Sequence, residues 1–277
     1  MTTLAVNGLT KDYRVREGLR TRRLRAVDDV SFTLEHGRTV ALVGQSGSGK
    51  STIAKLLLQL ERPSAGEILL DGKPIARRGA GLVAYRRQVQ MVFQDPFASL
   101  NPHHSVEHHL ERPIRLHHPT MTRAEVRRRV RELLERVRLT PADDVARRRP
   151  HELSGGQRQR VAIARALAPE PGVLIADEPV SMLDVSIRLG VLNLLATLQR
   201  QEDLGVLYIT HDLATARHFS DEILVMYQGR IVERGPADDV ILRPQHDYTK
   251  KLADAAPNPE RRVLQSFNQR VEKAEQL

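Results

Sequence analysis

A chain of 277 residues with a net charge of +9 is long enough for one large domain or two closely packed ones. It has no cysteine and no tryptophan, which excludes disulfides, thiolate metal sites and iron–sulfur clusters and leaves Leu, Val, Ile and Ala to build the core. No stretch approaches about 18 consecutive apolar residues, and Met1-Thr2-Thr3-Leu4-Ala5-Val6 lacks the basic-then-apolar order of a signal peptide, so the chain is expected neither to span a membrane nor to be exported.

Thr39-Val40-Ala41-Leu42-Val43 reads as a buried strand that feeds a glycine-rich loop, and Ser51 to Leu60 reads as a helix stopped by Pro63. Glu67-Ile68-Leu69-Leu70 is a strand running into a tight Asp71-Gly72 turn. Val89-Gln90-Met91-Val92-Phe93 is another, ending at Gln94-Asp95-Pro96. From about Phe97 to Ala168 the pattern turns helical. Thr122-Arg123-Ala124-Glu125 is a capping box, followed by Val126, Val130, Leu133 and Val137 at helical spacing. Strands resume at Val173–Ala176, Val206–Ile209 and Ile223–Tyr227, and Gly229 turns the last into Arg230–Glu233 as a hairpin. The alternation predicts a split α/β core with a helical insert. Beyond Pro257 the chain is polar and charged, a tail or a solvated helix.

Three segments carry chemistry. Gly44-Gln45-Ser46-Gly47-Ser48-Gly49-Lys50-Ser51 fits G-x-x-x-x-G-K-[ST], in which backbone N–H groups and a helix N-terminus receive phosphate. Lys50 is expected to reach the β- and γ-phosphates and Ser51 to ligate Mg²⁺, with Thr52 beside them. Val173-Leu174-Ile175-Ala176-Asp177-Glu178 is an apolar strand ending in two carboxylates. Asp177 suits Mg²⁺, and Glu178 suits a base that polarises the attacking water. Leu153-Ser154-Gly155-Gly156-Gln157 opens a helical run to Leu167 and forms a second anion receptor with no partner nucleotide in its own chain.

In this order, the three segments resemble the nucleotide-binding subunits of ATP-binding cassette (ABC) transporters, from about Leu4 to Pro257. The resemblance implies a P-loop NTPase, RecA-like α/β core. An ABC helical subdomain is inserted at about 97–168, and an N-terminal antiparallel β region precedes the loop. The whole forms one domain over 1–256, with 257–277 as tail. It also implies ATP and Mg²⁺ as ligands and a head-to-tail dimer in which Ser154, Gly155, Gly156 and Gln157 face the γ-phosphate held by the opposite subunit. Gln94 resembles the Q-loop glutamine, which senses Mg²⁺ and water and touches the membrane partner. His211, in Ile209-Thr210-His211-Asp212, resembles the switch histidine on the γ-phosphate. Ser181-Met182-Leu183-Asp184 resembles the D-loop, with Met182 a departure from its usual Ala, and Asp184 is counted among the nucleotide-site residues. Tyr13 fits the aromatic that stacks on adenine; a strand tyrosine on the core face is the rival reading.

Within the family, Val92 to Pro102, Ala176 to Ser181 and His246-Asp247-Tyr248-Thr249-Lys250-Lys251-Leu252 resemble the ATPases of oligopeptide and dipeptide importers. The resemblance implies two transmembrane permease subunits, a second cassette ATPase, homologous or identical, and an extracytoplasmic solute-binding protein acting through the permease. The chain is then peripheral, at the cytoplasmic face of the inner membrane. The rival is an ABC ATPase acting on nucleic acid, suggested by arginines 14, 16, 20, 22, 23 and 25 and by Arg147-Arg148-Arg149. The basic residues lack interleaved aromatics, and the chain lacks a second cassette or zinc-binding cysteines, so no nucleic acid is expected. The pairs His103-His104, His108-His109 and His117-His118 invite a metal, but no carboxylate or cysteine pattern completes a site.

Overall fold

The structure, a computed structural model, describes residues 2–18 and 20–255; the expected tail over 257–277 lies outside them. The chain opens with β1 (Leu4–Glu17), β2 (Arg20–Leu34) and β3 (Thr39–Val43), followed by α1 (Lys50–Leu57), β4 (Ala65–Leu70), β5 (Lys73–Pro74), α2 (Gly79–Gln88) and β6 (Val89–Val92). Between β6 and the next strand it is helical: α3 (Pro96–Ser99), α4 (Val106–His117), α5 (Arg123–Arg136), α6 (Ala142–Arg147), a 3₁₀ turn at Pro150–Glu152, and α7 (Gly155–Leu167). Then come β7 (Val173–Asp177), α8 (Val185–Gln201), β8 (Gly205–Thr210), α9 (Leu213–Phe219), β9 (Glu222–Tyr227), β10 (Arg230–Pro236), α10 (Ala237–Leu242) and α11 (Asp247–Ala255).

Two sheets result. One is antiparallel, in the order β2-β1-β4-β5; the other runs β10-β9-β3-β8-β7-β6, parallel except for β10 at its edge. The parallel strands are covered on both faces, which explains their unbroken apolar runs. Successive side chains of a strand point to opposite faces. Val40 and Leu42 of β3 accordingly join a core with β1, β2 and α1, while Ala41 and Val43 join the core built with the helices that follow β6. The fold is the α/β class expected, with its antiparallel N-terminal sheet.

Several local expectations hold in detail. Thr122 accepts from the Glu125 N–H, and the Glu125 carboxylate accepts from the Thr122 N–H, closing the capping box on α5. Asp71 and Gly72 both adopt positive φ between β4 and β5. By contrast α1 stops at Leu57, short of Leu60: Gln59 turns left-handed, and the Leu60 N–H folds back onto the Lys55 carbonyl. The chain thus leaves the helix before Pro63 can act. β6 likewise ends at Val92 rather than Phe93.

Candidate nucleotide-binding site

The carboxyl ends of four neighbouring parallel strands converge on one place, as expected where α/β sheets bind ligands. β3 delivers the glycine loop, β6 delivers Gln94, β7 ends at Asp177 with Glu178 next, and β8 is followed by His211. The loop is held tightly. A Cβ on Gly44 would strike the Met226 carbonyl oxygen, and one on Gly49, at φ +111, would strike the Ala26 carbonyl. Only glycine lets the chain pass there.

Gln45, Ser46 and Gly47 form the exposed rim of the loop, whereas Ser48 and Lys50 are buried. The Lys50 ammonium donates to the Gly44 and Gln45 carbonyls at 2.6 and 3.0 Å. Burial lowers its pKa against the opposing pull of the Glu178 and Asp177 carboxylates. Gly49 caps α1 without a side chain, and no acidic residue stands in the first turn, so the N–H groups around Ser51 and Thr52 leave a positive helix end for an anion. The buried Ser48 hydroxyl has no hydrogen-bond partner among the described residues. These features fit a polyphosphate.

Glu178 lies between two groups brought from distant strands. The Gln94 amide donates to one carboxylate oxygen at 3.2 Å, and His211 Nδ1 lies 3.1 Å from the other. Because a carboxylate only accepts, that geometry places a proton on Nδ1. Glu178 also adopts a positive φ of 44° and donates its N–H to the Ile209 carbonyl, so the backbone at this position is strained where the side chain is displayed. Burial, then the Glu178 charge, push the Asp177 carboxyl up to about 6, with Lys50 pulling it down. The Ser51 hydroxyl, Gln94 amide oxygen and Asp177 carboxylate are hard donors of the type Mg²⁺ takes.

Tyr13 sits on β1, half-buried. Its hydroxyl donates to the Glu61 carboxylate at 2.6 Å and interacts with Thr52, directly after the loop, and Lys11 Nζ lies 5.0 Å from its ring. Burial and Glu61 raise its phenol. The phenol therefore stands beside the phosphate loop rather than in the fully buried core.

The Leu153–Gln157 segment occupies the start of α7. Ser154 accepts from the Gln157 N–H and donates its own N–H to the Gln157 amide oxygen, a capping box, with no acidic residue in the first turn. Ser154 is exposed, and a Cβ on Gly156 would come within 2.6 Å of Ile187 on α8. Among the described residues no hydrogen bond joins Ser154 to the glycine loop, so the structure gathers the loop, Gln94, Asp177, Glu178 and His211 and leaves Ser154–Gln157 outside that cluster. Asp184, exposed, precedes α8 without a side-chain cap bond.

Two residues read in the sequence for other reasons, Tyr248 and Gly229, gave no sign there of a contact with the loop. Tyr248 accepts from the Gln45 N–H at 3.0 Å, and the Gly229 N–H donates to the Ser48 carbonyl at 3.0 Å. Both are contacts across more than 180 residues that local pattern does not show. Among the described residues no three His, Cys, Asp or Glu side chains are grouped to hold a metal. His104 and His108 stack at 4.0 Å instead.

A parallel sheet, a glycine loop on a helix N-terminus and a paired Asp-Glu at the neighbouring strand end define a P-loop nucleotide-binding domain. The ABC transporter family matches residues 27–181, over half the chain, and the chain belongs to it. It is 49% identical over 265 residues to the glutathione import ATP-binding protein GsiA of Pectobacterium atrosepticum, covering 94% of this chain and 42% of that protein. It is 45% identical over 258 residues to a peptide import ATP-binding protein of Brucella ovis, covering 93% and 79%. Among solved structures, cbiO1 from Clostridium perfringens, part of the ABC transporter complex cbiONQ, superposes with a TM-score of 0.75 at 30% identity, covering 87% of this chain and 90% of that one. The cassette MJ0796, in a dimeric post-hydrolysis state bound to ADP and Pi, does so at 0.73 and 31%, covering 84% and 98%. The chain thus spans less than half the length of GsiA.

Proposed function

We propose that this chain is the ATP-hydrolysing subunit of an importer for oligopeptides or dipeptides, working at the cytoplasmic face of the inner membrane. The observation that carries the hydrolytic reading is Glu178, held by Gln94 and His211 beside Lys50 and the glycine loop. The importer reading rests on the names of the relatives. When bound, Mg²⁺ would neutralise phosphate charge and fix the oxygens, held by Ser51, Gln94 and Asp177.

The chain's own groups divide the remaining work. Lys50 and the Gly44–Gly49 backbone, with Thr52, hold the phosphates, and Tyr13 offers its ring to the adenine. Glu178 orients and deprotonates water, and His211, bonded to Glu178 through Nδ1, presents Nε2 towards the γ-phosphate. Ser154, Gly155, Gly156 and Gln157 serve a second cassette, head to tail, with Asp184 on the same face. Closure of that dimer is the stroke, and hydrolysis resets it.

No helix among the described residues is long and apolar enough to cross a membrane. A groove of about 1060 Å³ is lined by the exposed apolar side chains of Leu60, Val83, Phe93 and Leu116, with Arg112 at its wall, and it reaches Gln94 and Asp177. We assign it to a helix of the permease, so that partner and metal site share Gln94. Two permease subunits, a second ATPase and a solute-binding protein outside the membrane complete the assembly, without nucleic acid. Gentle detergent extraction of the tagged chain is expected to bring down two polytopic membrane proteins and a second cassette ATPase. A catch of nucleic acid or ribosomal protein would remove the importer reading.

The Asp177 carboxyl gives a pH signature. A carboxyl raised to about 6 holds its proton below that pH and must release it to bind Mg²⁺. Apparent Mg²⁺ affinity in the presence of ADP is therefore expected to be flat above about pH 7 and to fall by up to roughly tenfold per unit below about pH 6. Asp177→Asn should bind Mg²⁺ weakly and lose the Asp177 share of that step. An identical pH profile in the variant removes Asp177 from the metal.

A further inference from the structure

We infer that Tyr248, near the start of α11, is a positioning residue for the phosphate loop, setting nucleotide affinity through the hydrogen bond it accepts from the Gln45 N–H. The inference rests on the proposed reading that the loop holds a nucleotide.

Gln45 is the pivot of the loop because both halves of its backbone are in use. Its N–H is bound by the Tyr248 phenol at 3.0 Å. Its carbonyl receives Lys50 Nζ at 3.0 Å and the Ser48 N–H at 3.2 Å. The phenol on one side therefore fixes the residue that, on the other, holds the ammonium expected to meet the phosphates. The adjoining Gly44 is lodged so close to the Met226 carbonyl that it tolerates no Cβ, and the Gly229 N–H ties the Ser48 carbonyl at the far end of the loop. The loop is thus anchored at both ends by groups from β9 and the chain that follows it.

Tyr248 is itself held firmly enough to act as an anchor. It is 8% exposed, and its ring lies 4.2 Å from that of Tyr227, tilted by 33°. Its N–H donates to His246 Nδ1, and the N–H groups of Gln245 and His246 donate to the Glu233 carboxylate at 2.8 and 3.0 Å, which ties the start of α11 to β10. Further along the same helix, Leu252 and Ala255 line a cavity of about 360 Å³ shared with Glu178 and His211. One short helix therefore touches both the phosphate loop and the hydrolytic end of the site. Without the phenol, Gln45 can leave its observed conformation, and Lys50 loses a fixed starting point. Because the hydroxyl reaches neither Glu178 nor His211, the effect falls on binding rather than on the chemical step.

The test uses the full chain, with ADP–Mg²⁺ binding by calorimetry and steady-state ATP hydrolysis. Tyr248→Phe keeps the ring against Tyr227 and removes only the hydroxyl. It is expected to raise Kd for ADP and KM for ATP about three- to tenfold, with kcat within about twofold of wild type and an unchanged thermal midpoint without nucleotide. Tyr248→Ala is expected to weaken binding at least as much and also to lower that midpoint. Wild-type Kd and KM in Tyr248→Phe, with loss confined to Tyr248→Ala, would show that the ring merely packs, and the inference falls. A fall in kcat at unchanged KM would also overturn it. If the wild-type chain itself fails to bind ADP, the nucleotide reading falls with it.

Discussion

Glu178→Gln is expected to reduce ATP turnover at least about a hundredfold in the assembled complex while leaving ATP binding and ATP-dependent dimerisation intact. The structure explains why the two should separate. The amide is isosteric: its oxygen can go on accepting from the Gln94 N–H while its NH2 faces His211 Nδ1, which accepts in the other tautomer. The bridge between β6 and β7 therefore survives, and the Gln94 oxygen stays available to the metal. What disappears is the basic oxygen able to take a proton from water. The substitution also removes a negative charge beside Asp177, which lowers that carboxyl and favours metal binding. Nucleotide affinity should therefore match or exceed wild type. Phosphate release and light scattering with ATP measure the two properties in one preparation. Turnover near the wild-type rate would remove Glu178 as the base and leave its hydrogen bonds to His211 and Gln94 without a mechanistic purpose.

The parts of this site that were legible in sequence are those whose chemistry is local. The glycine loop announces itself because each residue of a tight phosphate-binding turn is constrained in place, Gly44 and Gly49 by backbone carbonyls that leave no room for a Cβ. Outside the site, Thr122 with Glu125 shows at three-residue spacing because a capping box spans one helical turn, whereas the same box at Ser154 and Gln157 emerged only in the structure. The buried strands β3, β7 and β8 were readable as apolar runs since both of their faces are covered. The resemblance supplied Gln94 and His211, which a pattern of neighbours alone does not connect to Glu178.

What was not legible is contact at long range and the stopping points of helices. Nothing near Tyr248 in the sequence signals a hydrogen bond to Gln45, since the contact exists only once β9, β10 and α11 have wrapped back onto the loop. The helix α2 drew no reading because Gly79 and Gly81 weaken its periodicity and Tyr85 is its one buried residue. The early end of α1 depends on Gln59 accepting a left-handed conformation, a choice glycine or asparagine usually makes. The same physics explains why Ser154 had to be read through family likeness. In one chain its hydroxyl simply caps α7, and its proposed partner, a phosphate on another subunit, leaves no mark within this fold.

Lys50→Ala is expected to weaken ADP and ATP binding by roughly a hundredfold and to abolish measurable turnover, because it removes two supports together. The first is direct: the ammonium, now resting on the Gly44 and Gln45 carbonyls, is the buried positive charge placed to receive phosphate. The second acts through Asp177. Lys50 is the group that lowers the Asp177 carboxyl, whereas burial and Glu178 raise it to about 6. Without the ammonium the carboxyl rises further, so a larger fraction is protonated at neutral pH and Mg²⁺ binding weakens as well. The variant should therefore regain part of its Mg²⁺ affinity as pH is raised from about 7 to about 9, a rescue that wild type, already ionised there, will not show. Lys50→Arg should fail too, since the buried position beside two loop carbonyls fits a compact ammonium and not a planar guanidinium. Calorimetry with ADP at two pH values decides the matter. Affinity within threefold of wild type for Lys50→Ala at about pH 7 would undo the phosphate-loop assignment, and binding equally weak at both pH values would uncouple Lys50 from Asp177.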